Sequence, residues 1–209
     1  MVMVISFVGA TGVLCTLGGV ISEATGRRVA ALARGARALE GVGEVIPSYT
    51  SVLVRFDPLA ATHEDIAARL RALHVDAEGQ TTPRIVEIPV RYGGEWGPDL
   101  AFVAEHAGLT EAEVVALHSQ RLYRIYMIGF LPGFPYLGGL DPRLHTPRLD
   151  APRTRIPAGS VGIGGQQTGV YPVESPGGWR IIGRTPLKLF DPGQPPLYAA
   201  GDMIWFVPV

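Results

Sequence analysis

Residues 159–184 read GSVGIGGQQTGVYPVESPGGWRIIGR. The apolar pieces VGIGG, TGVYPVE and WRIIGR are divided by Gly-Gly-Gln-Gln and by Ser175-Pro176-Gly177-Gly178. Short apolar runs bounded by Gly and Pro clusters read as strands joined by tight turns, and the second break predicts a hairpin. PLKLFD (186–191) and DMIWFVP (202–208) continue the strand-like pattern. Upstream, RLYRIYMI (121–128) alternates, with Leu122, Arg124, Tyr126 and Ile128 on one face. Many short strands predict a barrel or sandwich, and closing a sheet removes its exposed edges. Ahead of them, Pro98–Ala107 and Glu111–Ser119 predict two short helices, with Thr110 and Glu113 placed as a capping box.

Working towards the N-terminus, RIVEIPVRYGG (84–94) opens this strand-rich domain, and the polar run 78–83 reads as a linker. The domain boundaries are therefore 1–82 and 83–209. Within 23–39, Val29, Leu32, Ala33, Ala36 and Leu39 recur at helical spacing behind Ser22 as N-cap. Glu44–Ile46 and Ser51–Phe56 predict strands; Leu53, apolar on the opposite face to Val52 and Val54, predicts a strand covered on both sides. Thr62 caps a second helix with Asp65 at its third position, and Ile66, Leu70 and Leu73 form its stripe. His63 and His74 stand at the two ends of that helix. A last strand near residue 85 would complete a split βαβ, ferredoxin-like domain. The fold class is α+β.

Residues 1–21 carry no charge and are long enough to span a bilayer. Gly, Ser and Thr dilute them, and no Lys or Arg precedes them as in a signal peptide. They read as two strands broken at Gly9–Gly12, in a soluble, cytoplasmic protein, with a membrane segment as the alternative. Lys and Arg number 18 against 19 Asp and Glu, so no basic field invites nucleic acid or an anionic membrane. The single cysteine, Cys15, excludes an intrachain disulfide and a paired-cysteine zinc site, and reads as a buried strand thiol. No histidine pair has helical metal-site spacing. His118, beside Ser119 at a helix end, reads as an imidazolium facing the helix dipole; no carboxylate is placed to make the pair nucleophilic.

Three stretches remain as binding candidates. GFLPGFPYLGG (129–139) concentrates Phe130, Phe134 and Tyr136 in a segment hostile to helix and sheet. Phe130 is expected inward and Tyr136 outward, with Phe134 and Tyr136 as interface anchors. GSVGIGGQQTG lacks the Lys-Ser/Thr ending of a phosphate loop and reads as turns, with one of Gln166 and Gln167 pointing out. DPRLHTPRLDAPRTRIPAG (141–159) holds Arg143, Arg148, Arg153 and Arg155. Two readings stand for it: guanidinium forks for an oxyanion, or a solvated loop with local Asp–Arg pairs.

Read together, YRIYMIGFLPGFPYLGGLDPRL (123–144), the run IPAGS through LKLFDP (156–192), LVRFDP (53–58) and EIPVRYGGEWGPDL (87–100) resemble the allophanate hydrolase subunit 1 family. That family includes the B subunit of 5-oxoprolinase and a sporulation kinase inhibitor. The resemblance implies a C-terminal cyclophilin-like β-barrel after the ferredoxin-like domain. It implies the non-autonomous B subunit of an ATP-dependent 5-oxoprolinase, with ATP and Mg2+ held by the assembled complex. Its partners would be a homologous subunit 2, which is the enzyme's C subunit, and a third polypeptide, the A subunit. The alternatives are a protein acting with others on allophanate or urea-derived substrates, and a histidine-kinase inhibitor. Gly9-Ala10-Thr11 and Gly18-Gly19-Val20 stand where the family carries Gly-Asp-Arg and Gly-Asp-Glu, so charges are lost there. Opening a stable lactam needs cations and donors at the carbonyl. Arg153, Arg155, Gln166, Gln167 and Arg184 are the candidate binders, with Arg180, Lys188 and His118 behind them; no catalytic base or metal ligand is assigned.

Overall fold

The computed structural model describes residues 3–73 and 83–209. The chain divides into two compact units, Met1–Thr82 and Pro83–Val209. His74 and residues 78–82 of the linker read at 78–83 lie outside the described residues.

In the first unit, β1 (Val4–Val8) and β2 (Gly12–Thr16) pair as an antiparallel hairpin. Then come α1 (Glu23–Arg37), β3 (Val42–Pro47), β4 (Ser51–Phe56) and α2 (His63–Ala72). The sheet order is β1-β2-β4-β3, with every neighbouring pair antiparallel. Period-two alternation puts Val13, Cys15, Val52, Val54 and Phe56 into one core with Val29, Leu32 and Ala36 of α1 and Ile66 and Leu70 of α2. Leu53 is only half-buried, so β4 is not covered on both faces as its composition suggests. Both helix starts follow their caps: Ser22 Oγ accepts from the Thr25 N–H at 3.1 Å, and Thr62 and Asp65 close a capping box. Burial pushes the Cys15 thiol up to about 11, which makes it a packing group. No helix among the described residues is long and apolar enough to cross a membrane.

The second unit starts with β5 (Ile85–Tyr92), α3 (Leu100–Ala107), α4 (Glu111–Ser119), β6 (Leu122–Ile128) and β7 (Pro135–Gly138). It continues with β8 (Arg153–Ile156), β9 (Ser160–Gly164), β10 (Gln167–Val170), β11 (Ser175–Gly177), β12 (Arg180–Arg184) and β13 (Met203–Pro208). Seven strands close a barrel in the order β10-β7-β6-β13-β5-β12-β9. β13 runs parallel to β5; the other neighbours are antiparallel. Ile88, Val90, Ile125, Leu137, Val161, Ile163, Ile182, Ile204 and Phe206 fill its core together with Leu100 and Val103 of α3 and Val114 of α4. Thr110 and Glu113 make the capping box that starts α4.

Three expectations are corrected here. The strand near residue 85 does not complete the first sheet: it is β5 of the barrel, and β1 takes the sheet edge beside β2. Ser175–Gly178 is not a hairpin turn. β10 and β12 lie on opposite sides of β9, and Ser175–Gly177 is itself a strand paired with β8. PLKLFD forms no strand; Lys188 reaches Asp191 three residues on at 2.6 Å, folding the segment back on itself.

His118 is also corrected. It is wholly buried, with Nδ1 2.8 Å from Tyr92 Oη and Nε2 2.8 Å from Thr168 Oγ1. Thr168 donates its own proton to the Gly162 carbonyl at 3.0 Å, so Nε2–H donates to Thr168 and Nδ1 accepts from the tyrosine. Burial pushes the imidazole down to about 3; it is neutral and tethers α4 to the barrel wall.

Candidate functional site

Two surfaces of the barrel unit carry the candidate residues. The first is an aromatic basin under the GFLPGFPYLGG segment. Phe134 is 1% exposed and packs with Tyr171, Trp179, Ile156 and Ile181. Its ring meets Tyr136, Tyr171 and Trp179 edge-on at 5.0, 5.2 and 5.5 Å between centroids. The expected split is therefore reversed at one residue. Phe130 points outward, 61% exposed, from a left-handed backbone at φ +65°, and Phe134 is the inward plug rather than an interface anchor. Tyr136 is half-buried. The glycine-rich string is explained from the same basin. A Cβ at Gly164 would come within 2.6 Å of the Trp179 indole, so this strand position serves as the floor on which the indole lies.

The cations around the basin are largely matched. Arg153 makes a two-pronged bond to Asp99 at 2.8 Å on each oxygen, and Asp99 also accepts the Ile181 N–H at 2.6 Å. Arg148 sits 5.8 Å from the centre of the Trp179 ring. Arg143 is held by Asp141, and Arg155 pairs with Glu174 at 2.8 Å. Gln166 is exposed in the β9–β10 turn and Gln167 is half-buried at the start of β10. Arg180 covers the Phe102 ring at 3.6 Å.

The second surface is a cleft of about 470 Å³ over the ends of β5 and β12. Its cations are Arg91, Arg184 and Lys188, with Trp96 as one wall and Ala158, Pro172, Pro186 and Leu187 completing the apolar lining. The strand register brings Arg91 and Arg184 directly opposite each other on β5 and β12. Their guanidinium carbons lie 5.5 and 5.6 Å from the Trp96 ring centre. Two close backbone approaches shape this geometry. A Cβ at Gly97 would run into the Ile182 carbonyl, so glycine lets the Gly93–Gly97 turn lie against β12 and set Trp96 beside Arg184. Gly159, at φ +82°, lies against the Thr185 carbonyl, and its own carbonyl accepts the Thr185 N–H at 2.9 Å. Arg184 Nε then donates to the Ala158 carbonyl at 2.9 Å, which holds the guanidinium over the cleft. Neither Arg91 nor Arg184 has a carboxylate partner among the described residues, while Lys188 shares its charge with Asp191.

Of the residues read from the sequence, Arg184 and Lys188 meet in this cleft, and Phe134 and Tyr136 meet in the basin, with Arg153 at its edge beside Tyr171. Arg91 and Trp96 were missed. The available signal was a cation and an indole flanking the glycine turn of RYGGEWG.

A closed seven-stranded barrel joined in sequence to a smaller four-stranded, two-helix unit makes this an α+β protein of two units. The chain belongs to the carboxyltransferase domain family, subdomains C and D, whose model matches residues 3–199. It is 46% identical over 204 residues to the 5-oxoprolinase B subunit of Escherichia coli O157:H7, covering 96% of this chain and 94% of that protein. It is 47% identical over 183 residues to the 5-oxoprolinase B subunit of Bacillus subtilis (strain 168), covering 80% and 75%. Among solved structures, the Kluyveromyces lactis urea carboxylase matches with a TM-score of 0.81 over 99% of this chain and 22% of that one; at 21% identity the likeness is one of fold.

Proposed function

We propose that this chain is the B subunit of a multi-subunit 5-oxoprolinase, which opens 5-oxoproline to glutamate with the use of ATP. The observation that carries the reading is the near end-to-end match to a B-subunit relative at almost half identity. It works in a complex with the homologous C subunit and a third polypeptide, the A subunit, in the cytoplasm, and is inactive alone. In this reading the first unit is ferredoxin-like: β2, α1, β3 and β4 form its split βαβ core, and β1 stands in for the usual last strand. The barrel is of the cyclophilin-like kind.

The chemistry asks for cations that meet oxyanions on the substrate and on an ATP-activated carbonyl. Arg184 and Lys188 stand where such oxygens could be met; Arg153, Arg155, Gln166 and Gln167 hold or border the neighbouring loops. No group of three or more His, Cys, Asp or Glu is placed to hold a metal among the described residues.

Reconstitution tests the reading. Mixed with the A and C polypeptides of the enzyme, the chain is expected to support ATP-dependent glutamate release, and to release none alone. A complex that acts only on urea-derived substrates, or a lone chain that inhibits a histidine kinase and supports neither reaction, would replace the proposal with one of the two alternatives.

A further inference from the structure

We infer that the cleft over the Arg91–Arg184 pair binds a small-molecule anion carried on a flat ring. The starting point is an unanswered repulsion. Like charges directly opposite on adjacent strands are destabilising, and Arg91 and Arg184 are such partners. Elsewhere in this unit Arg153 is answered by Asp99, Arg143 and Arg121 by Asp141, and Arg84 by Asp202, while Arg148 and Arg180 lie over the Trp179 and Phe102 rings. Here no carboxylate among the described residues answers either guanidinium. Arg184 is held by the Ala158 carbonyl, and both guanidinium carbons stand beside the Trp96 ring. Two guanidinium forks on facing strand positions match the oxygens of a carboxylate or a phosphate. Lys188, paired with Asp191, stands at the rim.

The walls state the rest of the ligand. Trp96, Pro172, Pro186 and Leu187 offer flat apolar surface, and the volume of about 470 Å³ is that of a small-molecule site rather than a water pocket. An anion with no body would leave these walls wet. A ring carboxylate and an adenine nucleotide share the required chemistry, with anionic oxygens on the forks and a planar ring on the indole. The choice of these two probes rests on the 5-oxoprolinase reading; the cleft chemistry does not.

The test is calorimetric titration of the full chain, and of the chain reconstituted with its two partner polypeptides, with 5-oxoproline, pyrrolidin-2-one and ATP. At least one of the two anions is expected to bind. Its affinity should fall about ten-fold or more in Arg91→Gln and in Arg184→Gln, the loss of a charged hydrogen bond. Pyrrolidin-2-one, the lactam without its carboxylate, is expected to bind at least about ten-fold more weakly than 5-oxoproline if the substrate is the occupant. Binding of ATP alone assigns the cleft to the nucleotide. Arg91 is exposed, so its variant keeps the test open should Arg184→Gln disturb the Ala158 contact. The inference is overturned if neither anion binds in chain or complex, or if both substitutions leave the affinities unchanged. Glutamate release without cleft binding sinks this inference alone, whereas cleft binding without glutamate release sinks the 5-oxoprolinase reading alone.

Discussion

The basin and the cleft are built from the same parts, aromatic rings and arginines, and end in opposite states. Under the GFLPGFPYLGG segment, Phe134 is sealed among rings and Arg153 is locked on a buried carboxylate. Over β5 and β12, the indole keeps solvent contact and two arginines stand opposite each other on neighbouring strands with no carboxylate partner among the described residues. Folding uses up the binding capacity of the first group and leaves that of the second open. Residue type does not separate scaffold from site here; the state of satisfaction does.

The largest single-substitution test of this contrast is Asp99→Ala. It strips the partner from Arg153 and from the Ile181 N–H together, and should cost about 3 kcal/mol in denaturant unfolding, the low end for a broken buried pair because Arg153 keeps some water. A loss under about 1 kcal/mol would mean the basin is not tied down as described.

Next comes His118, a polar group satisfied on both nitrogens. Its folded pKa of about 3 lies below the ordinary value, so the unfolded chain binds the extra proton as pH drops. Stability is full above about pH 6.5 and should fall by about 1.4 kcal/mol per pH unit between there and about pH 3. Equilibrium unfolding at several pH values should show this slope, and His118→Gln should flatten it.

Gly164→Ala is smaller. The added methyl meets the Trp179 ring, so overpacking of about 1–3 kcal/mol and a shifted indole fluorescence are expected. Smallest is Arg91→Gln, which should leave stability within about 0.5 kcal/mol or raise it slightly by easing the facing charges. A clear loss of stability there would mean that the cleft arginines are scaffold after all, and the contrast would collapse.

What could be read from the sequence was what local chemistry decides. Thr62 with Asp65 and Thr110 with Glu113 start their helices because a cap needs only the next three residues. Ser51–Phe56 alternates and is a strand. The failures are non-local. Ser175–Gly178 has hairpin chemistry, but β9 occupies the edges that β10 and β12 would have shared. β5 reads both as the start of the second domain and as the last strand of the first, because its partner, β13, lies far along the chain, as the Arg84–Asp202 bond spanning 118 positions records. Phe130 and Phe134 exchanged roles because a left-handed residue turned the loop over, which composition does not encode. In the cleft, Arg184 and Lys188 were legible as candidate binders, but only the register of β5 on β12 reveals Arg91 as the facing partner.

The parallel pairing of β5 with β13 has a consequence for synthesis. β13 supplies residues to both β5 and β6, and it is the last element of the barrel to leave the ribosome. Until Met203–Pro208 emerges, a nascent chain carries two open strand borders and an unfilled place where Ile204 and Phe206 belong. The barrel therefore cannot mature vectorially; it waits for the 6 residues of that strand, and a chain stalled or clipped before them is a species for chaperones to hold.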